Sequence, residues 1–141
     1  MQSVISNNKF MMLFSLIGFI TIWVVANPIE PSTPIVNHIS PIEASALIQS
    51  KNTLVLDVRE EEAFNKGHLP NAVSVPIGEL NKRLDELYAL DAQEVIVYCN
   101  DGSTRGPRAT KMLNDAGYPN AKNLKGGAEE WTKANLNLVT Q

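Results

Sequence analysis

The chain has 141 residues, 44% of them hydrophobic and 19% charged, a balance typical of a globular protein rather than a disordered one. Its formal net charge of −3 and its scattered lysines and arginines argue against a nucleic-acid partner. One cysteine and two histidines, His38 and His68, argue against a structural zinc site, and nothing in the sequence requires a metal or an organic cofactor.

Residues 1–26 differ in character from the rest of the chain. Lys9 precedes an uncharged stretch over residues 10–26, which predicts either a signal peptide or an N-terminal membrane anchor. The small side chains of Val24 and Ala26 suit cleavage before Asn27, whereas the weak basic region leaves the anchor open as the alternative. Both alternatives place the remainder outside the cytoplasm, which in a bacterium means the periplasm, either free or attached to the inner membrane.

The folded domain is expected to begin after a linker. Residues 27–39 are rich in proline and predict a stiff, extended segment, to which residues 35–36 could add a short edge strand. Residues 40–43, Ser-Pro-Ile-Glu, predict a capping box at the start of a helix. We therefore expect one domain over residues 40–135 and a C-terminal tail over residues 136–141.

Within this domain short apolar strands alternate with helices. The predicted strands are residues 54–56, 72–76, 95–98 and 121–124, and the predicted helices are residues 40–50, 60–66, 80–88, 107–116 and 128–133. This alternation predicts an α/β fold with an open, mostly parallel sheet of about five strands and helices on both faces. Functional sites of such sheets form beyond the carboxyl ends of the strands, where Asp57 and Cys99 are expected.

Cys99, the only cysteine, follows an apolar strand and precedes a small polar loop and a predicted helix. Backbone N–H groups of such a loop, together with the positive end of the helix dipole, favour the reactive thiolate over the thiol. The alternative is a buried structural thiol at a strand end. The glycine in the loop and the helix behind it favour the catalytic interpretation.

Several segments, taken in order, resemble the signatures of the rhodanese-like domain family. Residues 56–60 (LDVRE) and 67–72 (GHLPNA) are similar to its amino-terminal signature, and residues 98–102 (YCNDG) to the start of its active-site loop. Residues 116–131, with AGY, NL, GG and Trp131, resemble its carboxyl-terminal signature. The resemblance extends from about Ser40 to about Trp131, so it covers nearly everything after the linker.

This resemblance implies a single-domain sulfurtransferase of the thiosulfate type. The cysteine of such an enzyme takes a sulfane sulfur from a small anion, holds it as a persulfide and passes it to cyanide or a thiol, and Cys99 matches that position. The loop implied to surround the charged intermediate consists of Asn100, Asp101, Gly102, Ser103, Thr104 and Arg105. Asp57 and Arg59 are expected to have a structural role, as an ion pair or a loop brace that holds the strand ends, rather than a directly chemical one.

One departure from the family pattern keeps two alternatives open. The common sulfurtransferase loop has its arginine where this chain has Thr104, and Arg105 follows one residue later. The longer Cys-x5-Arg spacing is that of cysteine phosphatases and arsenate reductases, including relatives with this fold, although those relatives usually have histidine where this chain has Tyr98. The other alternative is a non-catalytic rhodanese-like module that binds a partner or carries sulfur.

Overall fold

The computed structural model describes residues 36–118 and 120–140, and these residues form a parallel five-stranded sheet flanked by helices. The strands are β1 (His38–Ile39), β2 (Thr53–Asp57), β3 (Ala72–Ser74), β4 (Glu94–Tyr98) and β5 (Ala121–Leu124). The helices are α1 (Pro41–Ile48), α2 (Glu61–Lys66), α3 (Leu84–Tyr88), α4 (Arg105–Asp115) and α5 (Gly127–Lys133), with a 3-10 helix at Leu80–Lys82. The strand order is β1-β5-β4-β2-β3, and every neighbouring pair is parallel. The predicted α/β class is confirmed.

Both faces of the sheet are covered, because side chains along each buried strand alternate between them. On β4, Val95 and Val97 pack on the face that carries α4, and Cys99 continues this alternation. Ile96 and Tyr98 point to the opposite face, which carries α1 and α5. Burial of each large aliphatic side chain contributes about 1.5–3 kcal/mol, so this two-sided packing holds the strand ends in place.

Val36, the described half of the edge strand predicted at residues 35–36, belongs to no strand, and residue 35 lies outside the described residues. The edge strand of the described sheet lies later in the chain. It is β1, in which His38 pairs with Asn123 and Ile39 with Leu124 on β5. Ile39 is buried against the α1 face and directly precedes the Ser40 cap, so the strand must end at the start of that helix. The last two residues of the predicted linker therefore belong to the sheet.

The ends of the helices follow local signals, and several of them differ from the predicted bounds. Ser40 and Glu43 form the predicted capping box, and α1 ends at Ile48. The helix predicted over residues 80–88 is divided into the 3-10 helix and α3, and the side chain of Tyr88 is 49% exposed. Helix α4 begins at Arg105 rather than near Pro107. Pro107 is compatible with this start, because N–H groups in the first turn of a helix have no partner within the helix and the missing N–H of proline costs no hydrogen bond there.

The segment predicted as a C-terminal tail packs against the domain as far as Val139. The backbone groups of Val139 exchange two hydrogen bonds with those of His68, at 2.9 and 2.8 Å. The indole Nε1 of Trp131 donates to the carbonyl of Asn137, and Leu136 and Leu138 contact the core. These aliphatic side chains explain why the segment remains on the domain surface.

Residues 1–35 lie outside the described part of the chain, and with them the predicted signal peptide or anchor and most of the linker. Within residues 36–118 and 120–140, no helix combines the length and apolar character needed to cross a bilayer.

Candidate active site

Cys99 directly follows β4, and only 1% of its surface is exposed. The first turn of α4 passes close to its sulfur, since a Cβ atom added at Gly106 would lie 3.5 Å from Cys99 Sγ. The thiol is therefore held between the end of a central strand and the start of a helix. This placement agrees with the expected position beyond the carboxyl ends of the strands.

The loop after Cys99 turns outward, and Asn100, Asp101, Ser103 and Thr104 are exposed. Gly102 is the exception, because it is buried and has a left-handed backbone with φ of 68°. A Cβ atom at Gly102 would lie 2.6 Å from the Leu124 carbonyl oxygen and 2.7 Å from the Gly126 nitrogen. Only glycine combines that conformation with such close backbone packing, so the loop is pressed against the turn between β5 and α5.

The start of α5 holds the beginning of the loop. The backbone N–H of Ala128 donates to the Cys99 carbonyl, and that of Glu129 donates to the Asn100 carbonyl, both at 2.9 Å. Gly127 makes this contact possible, because a Cβ atom there would lie 2.3 Å from the Cys99 carbonyl oxygen. The Gly126-Gly127 pair thus determines where the cysteine backbone lies.

A second anchor of the loop is Asn123 on β5, to which the sequence analysis assigned no role in the site. Its Nδ2 donates to the Gly102 carbonyl at 2.9 Å and lies 3.1 Å from His38 Nδ1. Its Oδ1 is buried with no hydrogen-bond partner among the described residues, and it lies against Gly106, where a Cβ atom would approach it to 2.2 Å. The available signal was a single amide residue near the end of an otherwise buried strand, where an unpaired polar group is costly.

Asp101 is the loop residue that contacts the cysteine sulfur. The Cys99 thiol donates to Asp101 Oδ1 over 3.7 Å. The same carboxylate accepts from the Ser103 backbone N–H at 3.0 Å and from the Ser103 hydroxyl at 2.8 Å. These hydrogen bonds from Ser103, the backbone one first, hold the pKa of Asp101 below its ordinary value. The carboxylate is therefore ionised at neutral pH.

Arg105 is the first residue of α4 and is partly exposed at the rim of the loop. Its Nη1 lies 4.0 Å from Glu60 Oε1, in the connection between β2 and α2. Thr104, the N-cap residue of α4, makes no side-chain capping hydrogen bond. Within the described part of the chain, the first N–H groups of this 11-residue helix thus have no side-chain cap, an arrangement that suits an anion.

Asp57, Arg59 and Tyr98 form a buried brace below the site. Arg59 Nη2 lies 2.6 Å from Asp57 Oδ2 and also donates to the Gly67 carbonyl at 2.8 Å. The Tyr98 hydroxyl donates to Asp57 Oδ2 at 2.6 Å and accepts from the Leu69 N–H at 3.1 Å. The ion pair, one of the two arrangements expected for Asp57 and Arg59, is present. The hydrogen bond from Tyr98 to Asp57 ties the end of β4 to the end of β2, one residue before Cys99.

The ionisation states of the brace follow from its burial. Burial first, and then the charge of Asp57, raises the pKa of Tyr98, so its phenol stays protonated and donates. Burial by itself would lower the pKa of Arg59, because it disfavours the charged guanidinium. The hydrogen bonds and the negative charge of Asp57 outweigh this effect and raise the pKa. The brace therefore consists of a carboxylate, a guanidinium and a neutral phenol.

The predicted site residues are thus divided between two layers. The loop of residues 100–105 and Cys99 form the outer layer, and Asp57 with Arg59 form the inner brace. No group of three His, Cys, Asp or Glu side chains in residues 36–118 and 120–140 is placed to hold a metal ion. The chemistry available to this arrangement is that of a buried thiol beneath a short polar loop and a helix N-terminus.

Comparison with known proteins supports the resemblance seen in the sequence. The thiosulfate:glutathione sulfurtransferase of Homo sapiens is 30% identical over 101 residues, which cover 63% of this chain and 87% of the human protein. YrkF of Bacillus subtilis, named as a candidate sulfur carrier protein, is 36% identical over 78 residues, which cover 55% of this chain and 40% of YrkF. The chain spans 40%, 35% and 23% of the lengths of three longer relatives.

The fold and a family model give the same assignment. The crystal structure of a rhodanese-related protein from Thermoplasma volcanium has a TM-score of 0.66 and 28% identity to this chain. The match covers 74% of this chain and 99% of that one. The family model described as the rhodanese-like domain matches residues 40–134 of this chain. The chain therefore belongs to the rhodanese-like domain family.

Proposed function

We propose that this protein is a sulfurtransferase that carries sulfur as a persulfide on Cys99. The Cys99 thiolate attacks the outer sulfur of a donor such as thiosulfate, and a new S–S bond forms as the donor S–S bond breaks. Sulfite leaves with the bonding electron pair. An acceptor, either cyanide or a thiol, then attacks the outer sulfur of the persulfide and restores the Cys99 thiolate.

The observation that carries this proposal is the placement of the Cys99 sulfur between the end of β4 and the uncapped start of α4. A persulfide there extends toward a loop whose backbone is held by Asn123 and by the first turn of α5. Backbone N–H groups of a loop that is held in place in this way can stabilise developing negative charge at little cost in reorganisation. The similarity to the human thiosulfate:glutathione sulfurtransferase supports thiosulfate as a donor and a thiol as an acceptor.

The test is the mass of the purified full chain in detergent after incubation with thiosulfate. We expect a gain of one sulfur atom, release of sulfite, and loss of the added sulfur on addition of cyanide or glutathione. Cys99→Ser should abolish the gain. A wild-type protein that gains no sulfur from thiosulfate or from polysulfide would contradict the proposal and favour a non-catalytic binding or carrier module.

One observation favours a second candidate, a cysteine-dependent phosphatase or arsenate reductase. Arg105 lies six positions after Cys99 and begins α4, so the loop has room for a tetrahedral oxyanion. Against this candidate, the ionised Asp101 has no proton to give to a leaving alcohol. Its negative charge also lies beside the sulfur that a phosphate dianion would have to approach. Hydrolysis of an aryl phosphate that is lost in Cys99→Ser would establish the second candidate.

We further propose that residues 1–26 direct the domain out of the cytoplasm, to the periplasm in a bacterium, as a cleaved signal peptide or as an anchor through residues 10–26. The support is the uncharged segment after Lys9. Fractionation with N-terminal sequencing tests this proposal. A soluble periplasmic protein that begins at Asn27 indicates cleavage, an intact membrane-bound chain indicates an anchor, and an intact cytoplasmic chain contradicts both.

A further inference from the structure

The acidic side chain beside the cysteine sulfur distinguishes this site electrostatically. Asp101 Oδ1 lies 3.7 Å from Cys99 Sγ, and this is the side-chain hydrogen bond that the described residues make with the sulfur. The contact is favourable while Cys99 is a protonated donor. Once the sulfur carries a negative charge, or an anionic donor approaches it, the same carboxylate repels that charge.

Asp101 cannot easily turn away from the sulfur. Its two carboxylate oxygens accept separately from the backbone N–H and the hydroxyl of Ser103, at 3.0 and 2.8 Å. These bonds also favour the ionised form of the carboxylate. A fixed negative charge thus faces the position that an incoming sulfur donor must occupy.

The positive charge of Arg105 is partly offset by a neighbouring carboxylate. Arg105 begins α4, but its guanidinium lies 4.0 Å from the carboxylate of Glu60. A donor anion must therefore share the Arg105 charge with Glu60 while it faces the charge of Asp101. The carboxylates of Asp101 and Glu60 together offset the charge of Arg105, and this disfavours donors with a high negative charge.

We propose that Asp101 is a specificity-determining residue that makes the site select sulfane-sulfur donors of low negative charge over dianionic ones. This inference rests on the proposed persulfide chemistry and names the substrate class within it. For a monoanionic thiosulfonate donor the Cys99 thiolate attacks the outer sulfur. The donor S–S bond breaks, a sulfinate leaves with the electron pair, and Cys99 keeps the persulfide.

Methanethiosulfonate and thiosulfate are suitable probes, because both present a terminal sulfur on a tetrahedral sulfur centre and they differ by one unit of charge. The measured quantity is the ratio of kcat/KM for methanethiosulfonate to kcat/KM for thiosulfate, in the full chain with one thiol acceptor. This ratio removes effects of a variant that apply equally to both donors. In Asp101→Asn we expect the ratio to fall by about fivefold or more, because Asp101 repels the thiosulfate dianion more strongly than the methanethiosulfonate monoanion and loss of its charge favours thiosulfate.

Asparagine keeps the size of the side chain and an acceptor for Ser103, so the loop should keep its shape. Asp101→Ser is the second variant, and it should shift the ratio in the same direction. Asp115→Asn is the matched control, because that exposed carboxylate lies at the far end of α4 and pairs with Lys111. The wild-type preference should also weaken at high ionic strength, since salt screens exposed charges.

The outcomes separate this inference from the proposed function. If both donors load Cys99 and the ratio is unchanged in Asp101→Asn and Asp101→Ser, the role of Asp101 is overturned while the sulfurtransferase proposal stands. A ratio that shifts equally in Asp115→Asn also overturns it. If neither donor places sulfur on Cys99 of the wild-type protein, both proposals are wrong.

Discussion

Asn123 Nδ2 donates to the Gly102 carbonyl at 2.9 Å, so a buried side chain of β5 determines the position of the loop that follows Cys99. Gly102 has no conformational alternative there, because its backbone is left-handed and lies against the turn between β5 and α5. The site therefore depends on a residue that need not touch a substrate. Asn123 is a positioning residue.

Asn123→Ala should leave the Gly102 carbonyl without its partner. The expected loss in the free energy of unfolding is about 1–3 kcal/mol, measured by urea denaturation. The rate of persulfide formation should fall by about ten- to a hundredfold, because a small displacement of the loop misaligns the reacting atoms. Asn65→Ala, at an exposed position of α2, is the control and should change neither quantity appreciably. Wild-type loading rates in Asn123→Ala would show that the loop does not need this anchor.

Gly106→Ala tests the close approach of α4 to the same amide. In an open helix alanine is more favourable than glycine by about 0.8–1.0 kcal/mol. Here the new Cβ atom would lie 2.2 Å from Asn123 Oδ1, so the clash should reverse the sign and destabilise the protein. Gly78→Ala is the matched control, since a Cβ atom there meets no heavy atom of the described residues within 4 Å.

Asn123→Ala and Gly106→Ala should have non-additive effects on stability in a double-mutant cycle, because both act through the Asn123 side chain. Thermal denaturation of the four proteins provides the cycle. Strict additivity of the two stability losses would contradict a shared mechanism.

Tyr98→Phe should weaken the brace beneath the site. The substitution removes the donor to Asp57 and the acceptor for the Leu69 N–H, both buried. We expect a loss of about 1–3 kcal/mol in the free energy of unfolding at neutral pH. Tyr88→Phe is the comparison, since that ring is 49% exposed and its loss should be smaller.

The pH dependence of the free energy of unfolding, compared between the wild-type protein and Tyr98→Phe, gives a second measurement. Burial and the Asp57 charge raise the pKa of Tyr98 in the folded protein, whereas a tyrosine in the unfolded chain has a pKa of about 10. The stabilising contribution of the protonated phenol is therefore present below about pH 10 and is lost as the pH rises above it. The decline in stability above about pH 10 should be shallower in Tyr98→Phe, and equal slopes would contradict the assignment.

Arg105→Gln should raise KM for anionic donors by about tenfold, because it removes a charged hydrogen-bond donor from the start of α4. Arg108→Gln is the control, because Arg108 is exposed one turn further on and is expected to be solvated. Steady-state kinetics with thiosulfate separate the two variants. Equal changes in KM would indicate a general electrostatic effect rather than contact at the site.

Much of the fold could be predicted because its signals are local. The apolar segments before Asp57 and Cys99 are too short for buried helices, and both are strands of the central sheet. The Ser40–Glu43 capping box places the first helix by its own hydrogen bonds. Edge elements were less predictable, since β1 and the segment around Val139 are determined by partners far away in the chain.

By itself, the sequence determined the α/β class, the location of Cys99 at a strand end, and the family signatures around it. Only the tertiary structure decided which residues support the cysteine, because Asn123 and the first turn of α5 reach the loop across more than twenty positions of sequence. It likewise decided that the Asp101 carboxylate faces the sulfur, since that orientation depends on how Ser103 folds back onto it. Local propensity specifies elements, whereas the electrostatic character of a site depends on distances between side chains that only packing determines.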